Sequence, residues 1–195
     1  MRSREEQILS AAEELFHERG FSGVGVAEIG KRAGIAPSAI YRYFDSKDEI
    51  LGALFERAAD VLLHQVDQPA DDPLEDLRNL TAAHLRFAEE HYKLAAIWAL
   101  DVRSLTGTHL RSFRRREHAY ADRWLHTLAT CVPDRSREEL TIVLRGIWAL
   151  LMSGSVNATR SQRDTGQVLV ELAMGALERL VPAEGHLQRA GIIDQ

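Results

Sequence analysis

Apolar residues recur three and four positions apart along most of the chain, the spacing of one helix face, and no stretch alternates convincingly enough to suggest a strand. Ile8, Ala11, Ala12, Leu15 and Phe16 fall on one face of a first helix, which Gly20 stops. Residues 21–25 form a Gly-rich connector. Residues 26–33 predict a short second helix. Gly25 caps its start, Glu28 suits its first turn, and Gly34 supplies a left-handed residue after its end. Pro37, at a first helical position, opens a third helix over 37–44. Ser46 followed three residues later by Glu49 is a capping box that opens a fourth helix running to about Val66.

The segment 68–73, with two prolines and two acids, cannot continue that helix and marks a boundary. Beyond it the periodicity predicts helices over 74–90, 92 to about 105, 110–132, 138 to about 157, and 167–181. Their breaks are His91, Thr106-Gly107, Pro133-Asp134 and the polar run 159–166. The tail after Pro182 is expected to fray. The fold class expected is all-α.

Within the third helix, Pro37, Ile40, Tyr41 and Phe44 share one face, expected to pack on Leu15, Phe16 and Ile29. Ser38, Ala39, Arg42 and Tyr43 then point away. Two small residues beside an arginine and a tyrosine let a helix approach base edges closely. Between Ile29 and Lys47 the bases Lys31, Arg32, Arg42 and Lys47 face Asp45 alone. Lys47 also sits at the start of the fourth helix, whose free N–H groups and dipole favour an anion, for which a DNA phosphate is the natural occupant.

Composition limits what surrounds this patch. The chain has 195 residues, 45% of them hydrophobic, enough for one sizeable core or a small domain docked on a larger one. Its formal net charge of −5 argues against a protein that coats DNA non-specifically, so any DNA contact is a local basic patch on an acidic body. The lone Cys131 excludes an intramolecular disulfide and fits a reducing cytoplasm. Residues 1–7 lack the apolar core of a signal peptide, and the apolar run 140–156 is broken by Arg145, Gly146, Ser153 and Gly154. A cytoplasmic protein with no membrane partner is expected. No Gly-rich phosphate loop, nucleophile elbow or zinc helix motif occurs, so neither an enzyme nor a cofactor is expected.

Residues 2 to about 62 resemble the DNA-binding domain of the TetR family of bacterial repressors. The resemblance rests on ILSAAEELFHERGF, on VAEIGKRAGIAPSAIYRYFDSKDEIL, and on their spacing. It implies an N-terminal three-helix helix-turn-helix DNA-binding domain (2–62, motif about 25–44). A C-terminal helical bundle for ligand binding and dimerisation (73–182) would follow. Carried over by position, Tyr41, Tyr43 and Lys47 match phosphate-contacting residues, and Ser38, Ala39 and Arg42 match the variable base-reading face. Gly25 and Pro37 complete the candidate DNA site. Three positions depart from the family: Gly25 and Ala39 stand where threonine is frequent, and Ala36 where serine or threonine is. At Ala39 a methyl replaces a hydroxyl and can meet a thymine methyl.

The resemblance also implies a homodimer on a palindromic double-stranded operator, released by a small-molecule effector. The helix at 140–157 carries Gly146, Ala149, Ser153 and Gly154, and that at 167–181 an apolar stripe of Leu169, Leu172, Ala173, Ala176 and Leu180. Such a pair suits either a four-helix dimer interface or the chain's own core. We favour the dimer because a recognition helix usually needs a partner one DNA turn, ~34 Å, away. Candidate effector-lining residues are Phe87, His91, Trp98, Tyr120, Trp124, Trp148 and Met152, with Arg103 or a histidine for an acidic head group. These favour a hydrophobic or amphipathic effector, although aromatics at helical spacing also build cores. His118, Asp122 and His126 share a helix face but lack a fourth ligand, so a solvated face is expected rather than a metal site. Arg111, Arg114, Arg115 and Arg116 read as a solvated face pairing with acids such as Glu117. The alternative function is a DNA-bound adaptor whose C-terminal domain contacts another protein.

Overall fold

The computed structural model describes residues 3–66, 68–156 and 163–181, and within them the chain is helical with no strand. Helix α1 (Arg4–Arg19) is followed by a 3-10 turn (Phe21–Gly23), α2 (Val26–Ala33), the short α3 (Pro37–Ile40) and α4 (Lys47–Gln65). Then come α5 (Pro73–Glu90), α6 (Tyr92–Asp101), a second 3-10 turn (Val102–Ser104), α7 (Gly107–Cys131), α8 (Arg137–Val156) and α9 (Arg163–Glu178). Of the break expected at 159–166, residues 159–162 lie outside the described residues, as does the tail after Pro182.

Local sequence explains most helix ends. Ser3 and Glu6 form a reciprocal capping box on α1, and Asp72 and Pro73 start α5. Ser136 and Glu139 cap α8 in the same way: the hydroxyl accepts from the Glu139 N–H at 3.2 Å and the carboxylate from the Ser136 N–H at 2.9 Å. The expected box at Ser46 is altered. Its hydroxyl accepts the Glu49 N–H at 3.1 Å, but the Glu49 carboxylate turns back to the Asp45 N–H. Two ends move from expectation. Helix α6 gives way to 3-10 geometry after Asp101, and α9 begins four residues early, at Arg163.

One continuous apolar core runs from Ile8 to Leu177. Helix α4 belongs to both ends of it. It packs with α1, and its length lies along α7, where Phe55 meets Phe113 with ring centroids 5.4 Å apart. Polar contacts line the same seam: the Thr106 hydroxyl donates to Asp48 at 3.2 Å, and Arg116 pairs with Asp60 at 3.0 Å and Glu56 at 3.5 Å. Arg116 is therefore an interhelical clamp, not part of a solvated face paired with Glu117.

Helix α5 is fastened to α7 by a buried network. Asp76, 3% exposed, accepts from Arg123 through both oxygens at 2.6 and 2.7 Å, from the Thr127 hydroxyl at 2.6 Å and from the Ala70 N–H at 3.0 Å. Burial pushes the Asp76 carboxyl up, but the bonds from Arg123, Thr127 and Ala70 outweigh it and hold the group below its ordinary range. Burial and the nearby Asp72 and Asp76 push the half-buried Cys131 thiol up to about 11, which leaves it protonated and unreactive near neutral pH.

Candidate nucleic-acid interface and effector site

The turn between α2 and α3 is built on two glycines. Gly34 adopts φ 67°, ψ 32°, and its N–H bonds the Lys31 carbonyl while the Ile35 N–H reaches the Gly30 carbonyl at 2.9 Å. This is the Schellman pattern, with glycine at the left-handed position that side chains resist. Gly30 serves a different end. A Cβ there would lie 3.0 Å from the Ile35 carbonyl oxygen and 3.2 Å from both the Pro37 Cα and the Ile40 Cδ1. Its bare backbone is what lets α3 settle on α2.

Helix α3 is shorter than its pattern suggests. It ends at Ile40, and residues 41–43 continue as a tight turn in which the Arg42 N–H bonds Ala39 and the Tyr43 N–H bonds Ile40. Ala36 offers no side-chain cap, so Pro37 at the first helical position sets the entry alone. Ile40 and Phe44 are buried as expected, each contributing about 1.5–3 kcal/mol of apolar burial. Pro37 and Tyr41 are not on that packed face. Pro37 is exposed and Tyr41 is 56% exposed, because the helix gives out before Tyr41 could repeat the register of Pro37.

The outward side carries Ser38, Tyr41, Arg42 and Tyr43, all exposed, with Ala39 half-buried among them. The positive patch is narrower than the sequence count implies. Arg32 is held by Glu14 at 3.0 Å and Glu18 at 3.2 Å, which leaves Lys31 and Arg42 as exposed cations there that form no ion pair among the described residues. Gly25 starts α2 with extended geometry, and its N–H donates to Glu28 at 3.1 Å. That bond, with Arg19 at 2.7 Å, holds the Glu28 carboxyl below its ordinary range.

Lys47 turns inward. Its Nζ donates to the Phe21 and Val24 carbonyls, both at 2.8 Å, and lies 4.1 Å from the centre of the Phe21 ring. Two of its three ammonium N–H groups are thus engaged within the protein. The same residue, Phe21, donates its N–H to Asp101 at the end of α6, at 3.1 Å. The connector before α2 is therefore gripped from the DNA-reading side by Lys47 and from the C-terminal bundle by Asp101. The positions lie 80 residues apart in the Phe21–Asp101 contact, and no local pattern announces it.

The effector candidates separate into two ring groups. Phe87, His91 and Trp98 join Phe55 and Phe113 in one, with centroid distances from 4.9 to 6.4 Å. Tyr120, Trp124 and Trp148 join His84 in the other, at 5.2 to 6.4 Å. Met152 is half-buried on α8. Arg103 is exposed on the second 3-10 turn and does not join either group. His84 was not among the sequence candidates. Its signal was present: position 84 falls on the buried α5 stripe of Leu77, Leu80, Thr81, Phe87 and Ala88. Of the three residues weighed for metal, Asp122 accepts from Arg137.

Comparison with known proteins agrees with this geometry. Residues 8–54 match the model for bacterial regulatory proteins of the tetR family, and residues 70–161 match that for the tetracyclin repressor-like C-terminal domain. An uncharacterised HTH-type transcriptional regulator of Mycobacterium tuberculosis is 27% identical over 189 residues, 95% of this chain and 90% of its own length. The HTH-type transcriptional repressor KstR2 of Mycolicibacterium smegmatis is 25% identical over 186 residues, covering 90% and 91% of the two chains. The structure of AibR in complex with isovaleryl coenzyme A and operator DNA is 20% identical and shares the fold with a TM-score of 0.75, over 92% of this chain and 99% of that one. These relatives are transcriptional regulators, not enzymes. With a helix-turn-helix that presents an exposed arginine and two tyrosines, and with both halves matched to the same family, the chain belongs to the TetR family of DNA-binding transcriptional regulators.

Proposed function

We propose that the chain is a homodimeric repressor that leaves a roughly palindromic operator when a small hydrophobic or amphipathic molecule binds its C-terminal domain. The observation that carries the DNA half is the outward face of α3 and its following turn. The Arg42 guanidinium is exposed there and makes no ion pair among the described residues, beside the small Ser38 and Ala39. Arg42 reads a base edge, a contact worth about 1–3 kcal/mol of discrimination. The Tyr41 and Tyr43 hydroxyls reach flanking phosphates.

Dimerisation is supported by α8 and α9. Leu169, Ala173 and Leu177 are buried against the monomer, but the opposite face leaves Ile142 67%, Leu172 55% and Val168 51% exposed. Gly146, Ala149, Gly175 and Ala176 are exposed on the same two helices, and small residues let a second copy approach closely. Release is supported by the Phe21–Asp101 bond and by α4, which packs on both α1 and α7, so that movement in the bundle reaches the reading head. AibR, whose structure holds both isovaleryl coenzyme A and operator DNA, and the repressor KstR2 are consistent with a ligand-responsive repressor.

A mobility-shift titration on DNA upstream of the chain's own gene is the test. Salt-sensitive, sequence-selective binding that Arg42→Ala abolishes is expected. Binding that ignores sequence, or that Arg42→Ala leaves intact, refutes it. Sedimentation of Leu172→Glu should give monomers where the native chain gives dimers.

A further inference from the structure

Four rings from three helices form a closed box in the C-terminal bundle: His84 on α5, Tyr120 and Trp124 on α7, and Trp148 on α8. His84, Tyr120 and Trp148 are nearly parallel, with interplanar angles of 10° to 22° and centroids 5.2 to 5.9 Å apart. Trp124 stands edge-on to all three at 6.2 to 6.4 Å. His84 is 4% exposed and Trp124 fully buried. One hydrogen bond joins the rings, between His84 Nδ1 and the Tyr120 hydroxyl at 3.0 Å. The Trp124 N–H is directed at the phenol oxygen without reaching hydrogen-bond geometry.

Three buried polar atoms of this one box have no hydrogen-bond partner among the described residues: His84 Nε2, Trp124 Nε1 and Trp148 Nε1. Protein interiors pair nearly all such atoms. Here all three belong to one cluster of apolar rings, and a small-molecule site likewise sets a few polar groups in an apolar wall to orient its ligand. We propose that the box anchors the oxygen end of an apolar effector, an uncharged carbonyl or hydroxyl, through the Trp148 N–H and His84 Nε2. The proposal rests on the ligand-responsive reading above and narrows it to a chemical class and its contacts.

The state of the nearby cation sets the class. Arg123, whose charge reaches Tyr120, is committed to Asp76 and to the Val66 carbonyl and so offers the box no free counter-charge. A carboxylate entering among neutral donors would lose its hydration with no counter-charge, whereas a carbonyl loses far less. Burial also holds His84 neutral, its pKa pushed down to about 3. A neutral imidazole adapts to either oxygen. When the phenol donates to Nδ1, Nε2 carries the proton and donates to a carbonyl. When Nδ1 donates to the phenol oxygen, Nε2 accepts from a hydroxyl.

The test is calorimetric titration of the full chain with 2-decanone, 1-decanol and decanoate at neutral pH, alongside Trp148→Phe and His84→Phe, which keep a ring and delete the polar atom. The ketone and the alcohol are expected to bind the native chain at least about 10-fold more tightly than decanoate. Each variant should weaken the ketone about 10-fold, one hydrogen bond's worth. Both variants should melt somewhat lower without ligand, because Trp148→Phe leaves space in the cluster and His84→Phe strands the Tyr120 hydroxyl, so ketone affinity is the deciding readout. Three results would overturn the proposal: no neutral probe binds, decanoate binds as tightly, or both variants bind the ketone normally, the mark of a purely structural box. Operator retention is followed in parallel. Ketone binding that the variants weaken, with the operator still held, sustains the anchor and refutes release. Release by the ketone that both variants leave intact does the reverse.

Discussion

Replacing Lys47 by methionine separates two jobs that its position allows. The substitution keeps the apolar stem against the Phe21 ring and deletes the ammonium, and with it two N–H···O=C bonds of 2.8 Å and a cation 4.1 Å from that ring. Charge-assisted bonds of this kind contribute about 1.5–3 kcal/mol each when dry. Lys47 is only half-buried, and the two freed carbonyls regain water, so each bond is discounted to about 1 kcal/mol and the pair together amounts to about 2 kcal/mol. For a chain of this size that is a fall in melting temperature of about 4–8 °C. Operator affinity measured by fluorescence anisotropy between about 50 and 250 mM salt reads the second job. A phosphate contact adds close to 0.9 to the slope of log affinity against log salt. With the ammonium held on the connector, the slope should change by less than about 0.5 while stability drops. A slope reduced by a full phosphate contact, with the melting temperature unchanged, would show that Lys47 leaves the connector for DNA and that the clamp contributes nothing.

Gly30→Ala should destabilise by about 1–2 kcal/mol in urea unfolding, although alanine is the better helix former. Its methyl meets backbone atoms at 3.0 and 3.2 Å that cannot yield without moving α3. Asp76→Asn leaves Arg123 without its buried counter-charge and should cost about 3–5 kcal/mol in the same assay. The Asp76 carboxyl is held below its unfolded value, so its contribution is complete above about pH 4 and is lost as pH falls through the folded pKa. His84 is lowered from 6.5 to about 3 by burial, so the unfolded chain takes up a proton first. Stability should therefore decline by up to about 1.4 kcal/mol per pH unit as pH falls from 6.5 towards 3. His84→Phe should flatten that decline in unfolding curves taken at successive pH values, and an unchanged slope would place the titration elsewhere.

Much of the reading head was visible in the residues themselves. Gly34, Pro37, Ile40 and Phe44 do what their local chemistry predicts, and the exposed Arg42 and Tyr43 follow from the same register. Two capping boxes, Ser3 with Glu6 and Ser136 with Glu139, are equally local, each a serine followed three residues later by glutamate. Tyr41 was misplaced because four-residue periodicity assumes a helix that continues, and α3 does not. Arg32 counted as a free base until α1 brought Glu14 and Glu18 against it. Arg116 likewise found its acids on α4 and not on its own helix.

The division follows the reach of the interactions. Helix content, caps, the left-handed turn and the outward arginine depend on groups within about four residues, so the order of amino acids alone determines them. The inward turn of Lys47, the bond from Phe21 to Asp101, the need for a bare Gly30 and the ring box around His84 depend on partners brought together from different helices. In the longest of these contacts the partners are 80 residues apart. No periodicity encodes such partners, because what selects them is the packing of one helix on another. Only the tertiary structure shows that the connector is gripped from both sides, and that His84 is buried among the rings of Tyr120, Trp124 and Trp148.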